Sequence, residues 1–370
     1  MKRKKAKVGL EELLAAGQLH GERGELAEAE ACYRKALAAA PGHPAVMTRL
    51  GLTLVDADNL PGAIELLEQA REIAPAFAPI QLALGVAYSA AGEDALAVAA
   101  MEVALELDKT STIPLDRLAK HHLRNGRNRE AIGYLRRVLR RDPNHAQARY
   151  LLAGLTGDKD PAVIARPPDA LIGELFDAYA ATFDEHLLGR LRYNVPAALA
   201  AVVAGCGVAA DGSHVVLDLG CGTGLAGVEL EPYARRMVGS DLSARMIVRA
   251  KQRDIYDELH AEDLIATLQR ERDVDLVVAA DVLIYIGELE PTFVACAAAL
   301  RTGGLFAFSI ELGKTEDIAL LETLRYAHAP AYIERLAAAH GFAVERADEA
   351  VLRVDKDQPV HGVLYALRRG

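Results

Sequence analysis

Residues 215–224 read VVLDLGCGTG, an apolar run that ends in an acid and continues into a loop with three glycines. The apolar run predicts a buried strand, and glycines let the loop backbone approach a ligand and turn sharply into a helix. A second acid, Asp241, follows 23 residues after Asp218, directly behind the strand-like residues 237–240. An acid at that strand tip accepts hydrogen bonds from ribose hydroxyls. The pattern therefore predicts a nucleoside-binding turn.

Strands and helices alternate around this turn, which predicts a parallel α/β sheet. We expect strands at 214–219, 236–240, 256–260, 275–280, 304–310, 343–354 and 363–367. The alternation begins at Asp169. The preceding stretch 156–168, TGDKDPAVIARPP, breaks every periodicity with Gly, Asp and three prolines, so we predict a linker there.

Small residues recur every 34 positions in the first part of the chain, as in the series Ala29, Ala63, Ala97 and Ala131. This period resembles the tetratricopeptide repeat, a helix–turn–helix unit that stacks on its neighbours. The resemblance implies an all-α solenoid over residues 8–155, with four repeats and a capping helix at 145–155. Such an array presents a concave surface for a protein or peptide. Three arginines on one predicted helical face offer a site for an acidic partner or form a solvated helix end: Arg129, Arg136 and Arg140.

The glycine spacing separates two cofactors. A dinucleotide fingerprint is G-x-G-x-x-G, whereas here the third glycine, Gly224, comes one residue early and Leu225 follows it. LDLGCGTG instead resembles the first motif of class I S-adenosylmethionine (SAM)-dependent methyltransferases, with a resemblance that covers residues 169–370. It implies a doubly wound, Rossmann-like α/β domain of seven strands, the seventh antiparallel near one edge. An NAD-dependent oxidoreductase is disfavoured.

The resemblance also assigns the residues that contact SAM or its product S-adenosylhomocysteine. Asp263, rather than Glu262, would meet the adenine amino group, and Asp281 would stand where the methyl donor faces the acceptor. Tyr179, in a lid stretch at 176–187, would cover the sulfonium, with ordinary core packing as the alternative. The full predicted set is Asp218, Gly220, Cys221, Gly222, Gly224, Asp241, Leu242, Asp263, Leu264, Asp281 and Tyr179.

Tyr285 and His328 are the candidate catalytic residues, the histidine as a proton acceptor for a substrate hydroxyl or amine or as an ordinary loop residue. Alignment of nucleophile, methyl carbon and sulfur is the main requirement of methyl transfer, so an acid–base pair is not obligatory. The sequence does not identify the atom that accepts the methyl group. No Asn-Pro-Pro-Tyr-like motif follows the fourth predicted strand, which disfavours methylation of DNA adenine or glutamine.

Composition excludes several classes of protein. The net charge of −10 argues against a general nucleic-acid binder. The four cysteines lie far apart without metal-ligand spacing, so we predict no metal site. No apolar stretch follows the basic residues 1–8, and none is long enough for a membrane span. We therefore expect a cytoplasmic protein with no membrane partner.

Three hypotheses for function remain. The repeats bind a protein or a carrier-borne substrate and present it to a methyltransferase. Alternatively, the enzyme methylates small molecules and uses its repeats only for docking or oligomerisation. In the third, the chain is a SAM-binding scaffold without turnover.

Overall fold

Regular helix pairs and a twisted sheet occupy separate parts of the chain. The computed structural model describes residues 9–370 apart from 159, 161, 162, 164, 181, 314–316 and 356. The chain divides between Leu152 and Ala153 into two compact units. The basic residues 1–8 and part of the predicted linker lie outside the described residues, and the predicted domain bounds at 155 and 169 stay predictions.

The first unit consists of helices that pair in sequence order. They are α1 (Leu10–Glu22), α2 (Leu26–Ala39), α3 (Pro44–Asp56), α4 (Leu60–Ile73), α5 (Ala78–Ala90), α6 (Asp94–Leu107), α7 (Ile113–Arg124) and α8 (Asn128–Arg141). A further helix, α9 (Ala146–Thr156), follows where the capping helix is predicted. Prolines stand in the first turns of α3, α5 and α7, where the missing N–H is tolerated. The predicted all-α solenoid of four repeats is confirmed.

The small residues of the 34-residue pattern lie where the two helices of a repeat cross. Ala29, Ala63, Ala97 and Ala131 are completely buried. At Gly51 a Cβ atom would stand 2.6 Å from the Cγ and Cδ2 atoms of Leu67. The two helices can therefore cross this closely only because Gly51 has no side chain.

The second unit is built on one sheet. Its strands are β1 (His214–Leu219), β2 (Ala234–Asp241), β3 (Glu258–Ala261), β4 (Val274–Ala279), β5 (Leu300–Leu312), β6 (Ile318–Leu320), β7 (Tyr326–His328), β8 (Phe342–Asp355) and β9 (Gln358–Arg369). The helices are α10 (Asp169–Tyr179), α11 (Val195–Gly205), α12 (Leu225–Leu230), α13 (Ala244–Lys251), α14 (Leu264–Arg270), α15 (Glu290–Ala299) and α16 (Pro330–Ala339).

Strands β3, β2, β1, β4 and β5 lie side by side in that order and run parallel. Strand β9 pairs antiparallel with β5, and β8 pairs with β9 on its other side. This gives the seven predicted strands, including the antiparallel one near an edge. Two three-residue strands that the sequence does not predict, β6 and β7, extend the described sheet to nine strands at the far end of β5.

Apolar side chains cover both faces of the sheet. One core packs β-strand residues against α15 and α16, centred on Phe293, Phe306 and Phe308. The other packs them against α11 and α12. Coverage of both faces leaves the carboxyl ends of the parallel strands as the open edge, where ligands bind in such sheets. None of the described helices is long and apolar enough to cross a membrane.

Candidate functional site

The loop after β1 leaves the sheet with three glycines in the left-handed backbone region, Gly220, Gly222 and Gly224, at φ values of 61°, 54° and 89°. At Gly220 an added Cβ would stand 2.5 Å from Cγ2 of Val282, which follows β4. The loop is tied to β2 as well, since the Cys221 N–H donates to the Ser240 carbonyl at 2.9 Å. This arrangement holds a largely buried backbone turn close to the carboxyl ends of three strands.

Asp218 lies on β1 beneath this loop and is 1% exposed. Its Oδ2 accepts a hydrogen bond from the Tyr256 hydroxyl at 2.6 Å. Its Oδ1 is buried and has no hydrogen-bond partner in the part of the chain that the structure describes. Burial raises the pKa of Asp218 to about 7. A buried carboxylate oxygen with spare acceptor capacity favours a ligand that brings a positive charge or a donor group.

Asp241, at the end of β2, accepts backbone hydrogen bonds with both carboxylate oxygens. Gly222 N donates to Oδ2 at 3.0 Å and Ser243 N donates to Oδ1 at 2.8 Å. Burial raises the pKa of this carboxyl to about 6. Each oxygen keeps a further lone pair, so the fixed carboxylate can accept two hydroxyl hydrogen bonds, as the sequence predicts. The neighbouring Leu242 is half-buried.

Two acids of the predicted lid stretch fasten it to the site. Asp177 of α10 accepts a hydrogen bond from the hydroxyl of Ser243 at 2.6 Å, and Ser243 itself caps α13. Asp184 accepts from the Thr223 hydroxyl in the glycine loop and pairs with Arg253 at 2.7 Å. The segment is therefore held over the loop at both ends.

Aromatic rings line the inner side of this lid. Helix α10 ends at Tyr179, so Phe183 lies beyond the helix that carries Tyr179. Their rings meet edge to face with centroids 5.2 Å apart, and Tyr179 also contacts His186. Phe183 is the ring that reaches the glycine loop, 3.7 Å from the position of a Cβ at Gly222. The structure thus places Tyr179 behind Phe183.

Asp263 and Glu262 follow β3, and both already have protein partners. Asp263 caps α14 through a hydrogen bond from Ile265 N at 2.9 Å, and its other oxygen pairs with Arg166. Glu262 pairs with Arg270 at 2.7 Å. Leu264 is buried. Asp263 can therefore meet an adenine amino group only beside or in place of Arg166.

Asp281, after β4, belongs to a buried charged group. Arg353 of β8 is 2% exposed and donates to Asp281 Oδ2 at 2.8 Å, and its other Nη contacts Glu311 of β5. Asp281 Oδ1 is buried without a hydrogen-bond partner among the described residues. Burial raises the pKa values of Asp281 and Glu311 and outweighs the opposing charge of Arg353. Asp281, Arg353 and Glu311 thus form a buried group of ionisable side chains on the β4–β5 side of the site.

The two predicted catalytic residues occupy different surroundings. The Tyr285 ring meets Phe176 edge to face at 5.2 Å, and its hydroxyl accepts a hydrogen bond from Arg325 at 3.4 Å. His328 is completely buried on β7, and its Nε2 lies 2.9 Å from the Gly287 carbonyl oxygen. Burial lowers the pKa of His328. Because His328 is completely buried, the structure disfavours its contact with an acceptor, whereas Tyr285 lies beside the lid.

Sequence reasoning missed several residues of the site. Tyr256, Arg353 and Tyr193 are contributed by segments far from the glycine loop in sequence. Burial, followed by the charge of Asp281, raises the pKa of Tyr193 well above its usual range. A sequence signal existed only for Asp177 and Asp184, which stand in the stretch that resembles the lid helix of methyltransferases.

Two family models match the chain. Residues 217–306 match the methyltransferase domain family. Residues 14–78, 49–112 and 117–155 match the tetratricopeptide repeat family. The chain therefore carries tetratricopeptide repeats followed by a methyltransferase domain, and the resemblance that the sequence motifs predict is confirmed.

One curated relative is the Saccharomyces cerevisiae protein CRG1, named as a probable S-adenosylmethionine-dependent methyltransferase. It is 32% identical over 102 residues, which are 25% of this chain and 34% of that protein. The match thus spans about a third of the relative's length.

Two solved structures are similar to part of the chain. One is the magnesium protoporphyrin IX methyltransferase of Synechocystis PCC 6803 with bound SAM, at 21% identity and a TM-score of 0.41, covering 56% of this chain and 99% of the other. The other is the 1,6-didemethyltoxoflavin-N1-methyltransferase of Burkholderia thailandensis, at 15% identity and a TM-score of 0.44, covering 54% and 88%. Neither likeness identifies an acceptor for this chain.

Proposed function

We propose that this chain, which carries tetratricopeptide repeats followed by a methyltransferase domain, binds SAM and transfers its methyl group to an acceptor. The observation that carries the proposal is the pair of carboxylates, the buried Asp218 and the half-buried Asp241, on either side of a glycine loop that leaves no room for a Cβ at Gly220. A nucleoside cofactor with a positive charge fits this arrangement.

Electrostatics favours SAM over a dinucleotide. SAM carries a sulfonium and an ammonium group, and the negative charges of Asp218 and Asp241 favour such a cationic ligand. A pyrophosphate at the same loop would bring negative charge next to Asp218. Arg253, the cation at this loop, already pairs with Asp184 and donates to the Thr223 carbonyl at 2.5 Å. The site would therefore repel the pyrophosphate of NAD and attract the cationic groups of SAM.

The residues of the site take separate roles in this proposal. Asp241 accepts from the ribose hydroxyls, and the free Oδ1 of Asp218 accepts from the ammonium group. The loop backbone at Cys221 and Gly222 contacts the methionine part of SAM. Further contacts come from Gly220, Gly224, Leu242 and Leu264 around the nucleoside, from Asp263 at the adenine and from Tyr179 behind the lid ring Phe183.

SAM supplies a methyl group that its sulfonium already activates, so the protein has to place the acceptor and exclude water. The lid, fastened through Asp177 and Asp184, covers the glycine loop and keeps solvent from it. Asp281, the predicted cofactor residue after β4, and Tyr285 follow the strand that pairs with β1, so they adjoin the glycine loop on the side away from β2. Tyr285 is our candidate for contact with the acceptor, and the buried His328 is a weaker one.

The role of the repeats is the second part of the proposal. Stacked helix pairs bury their shared faces and leave a long continuous surface, which suits a peptide segment. We propose that this surface holds a protein partner or presents an acceptor to the methyltransferase domain.

The test uses the full chain, methyl-labelled SAM and a cell extract divided into protein and small-molecule fractions. We expect label in one fraction, dependent on the chain and lost in Asp241→Ala, with thermal unfolding to show that the variant folds. The fraction that carries the label identifies the acceptor class. Binding of S-adenosylhomocysteine without any transfer of label would instead support the scaffold hypothesis.

A further inference from the structure

Charge is distributed unequally along the repeat array. Residues 10–107, which form α1 to α6, contain fifteen acidic and five basic residues, a net charge of −10. Residues 113–141, which form α7 and α8, contain nine basic and two acidic residues, a net charge of +7. The fourth repeat is therefore a cationic region within an otherwise acidic array.

Some of these cations have partners. Arg127 pairs with Asp94 at 3.1 Å, and Arg141 donates to the Ser111 carbonyl at 2.6 Å. Five other arginines have no hydrogen bond or ion pair in the part of the chain that the structure describes: Arg117, Arg124, Arg129, Arg136 and Arg140. The last three lie on α8, and the first two form what we term the α7 arginine pair.

The α7 arginine pair occupies one face of its helix, because a separation of seven residues is two helical turns. The buried face of α7 carries Leu115, Leu118 and other side chains instead. Arg117 is half-buried and Arg124 is exposed. The two guanidinium groups therefore lie on one side of α7, and neither has a carboxylate partner among the described residues.

The neighbouring helix α5 supplies an uncharged surface. Its thirteen residues, APIQLALGVAYSA, include no charged side chain, and α5 contacts α7. The 34-residue register places Val86 and Ala90 at the positions that correspond to Lys120 and Arg124. Val86 is half-buried and Ala90 is exposed. Small apolar side chains therefore lie beside the Arg124 end of the cationic pair.

We infer that the α7 arginine pair and the adjoining α5 surface bind an acidic peptide segment of a partner protein. Carboxylates of the segment would form charge-assisted hydrogen bonds with Arg117 and Arg124, and small apolar side chains would pack on α5. The inference rests on the proposed role of the repeats in binding a partner. A long nucleic acid fits less well, because the net charge of −10 on α1 to α6 repels it.

The test is calorimetric titration of the full chain with hexaglutamate, with hexalysine and hexathymidylate as comparison ligands. Two double variants remove the same amount of charge, R117Q/R124Q from α7 and R136Q/R140Q from α8. We expect saturable binding of hexaglutamate that is about tenfold weaker or more in R117Q/R124Q and changes by less than about twofold in R136Q/R140Q. Binding should weaken as the salt concentration rises.

Equal weakening by the two double variants would overturn the inference, because attraction to net charge would then explain the binding. Absence of binding by the wild-type chain, or tighter binding of hexathymidylate, would overturn it too. Circular dichroism checks the fold, and R124Q with R136Q as its matched control replaces the double variants if one of them unfolds. Titration with S-adenosylhomocysteine should give unchanged affinity in R117Q/R124Q, which separates failure of this inference from failure of the proposed methyltransferase function.

Discussion

Substitution of Gly220 by alanine tests how the glycine loop is built. The new Cβ would stand 2.5 Å from Cγ2 and 2.9 Å from Cγ1 of Val282, at a backbone φ of 61°. Valine has a stiff χ1, so relief of this overlap requires a backbone shift that costs about 1–3 kcal/mol. The left-handed conformation adds about 1 kcal/mol for alanine. We expect the free energy of unfolding to fall by about 2–4 kcal/mol in total.

Urea denaturation measures this loss of stability. Titration with S-adenosylhomocysteine should show about tenfold weaker binding if the loop shift costs about 1.4 kcal/mol of binding free energy. Gly303→Ala is the control, since its φ is 78° but its nearest neighbour is the flexible end of Arg301 at 3.4 Å. It should lose only about 1 kcal/mol and bind normally. A second substitution, Val282→Ala, should restore loop geometry in Gly220→Ala. If Gly220→Ala matches Gly303→Ala in stability and binding, our view of this loop is wrong.

Three further predictions concern stability. The pKa of Asp218 rises from 3.8 in the unfolded chain to about 7, so the folded state retains a proton that the unfolded state releases. The shifted Asp218 carboxyl contributes about 4 kcal/mol to the free energy of unfolding below pH 4, and this contribution is lost as pH rises through 7. Urea denaturation should therefore show that the free energy of unfolding depends less steeply on pH in Asp218→Asn. Ser243→Ala removes the cap of α13 and a partner of Asp177; thermal unfolding should reveal a loss of about 1–2 kcal/mol, and no loss would contradict the cap. Gly51→Ala should destabilise the repeats by about 1–3 kcal/mol, whereas Gly133→Ala, with open space around it, should stabilise them by about 0.5–1 kcal/mol; equal effects in urea would refute the packing argument.

Periodic features were the ones that sequence reasoning predicted well. The strand predicted at 214–219 is β1 (His214–Leu219), and the four repeats appear as four helix pairs in register. Both follow from patterns that repeat over many residues, because burial imposes a period on a whole element. The short strands β6 and β7 were missed, since three residues are too few to carry a periodic signal.

Contacts between distant segments could not be predicted. Tyr256 reaches Asp218 across 38 residues, and Arg353 reaches Asp281 across 72. No local pattern marks such a pair, because the pairing is created when the strands assemble. The lid shows the same limit, since the end of α10 at Tyr179 places Phe183, rather than Tyr179, against the glycine loop.

The most direct test of the central proposal is calorimetric titration of the purified full chain with S-adenosylhomocysteine. Asp241→Ala and NAD serve as controls, because Asp241 holds the glycine loop through Gly222, is itself fixed by Ser243 N, and offers the acceptors for the ribose. We predict saturable binding in about the micromolar range, weakened in the variant and absent for NAD. Failure of the wild-type chain to bind S-adenosylhomocysteine, or equal binding of NAD, would contradict the assignment of this site to SAM.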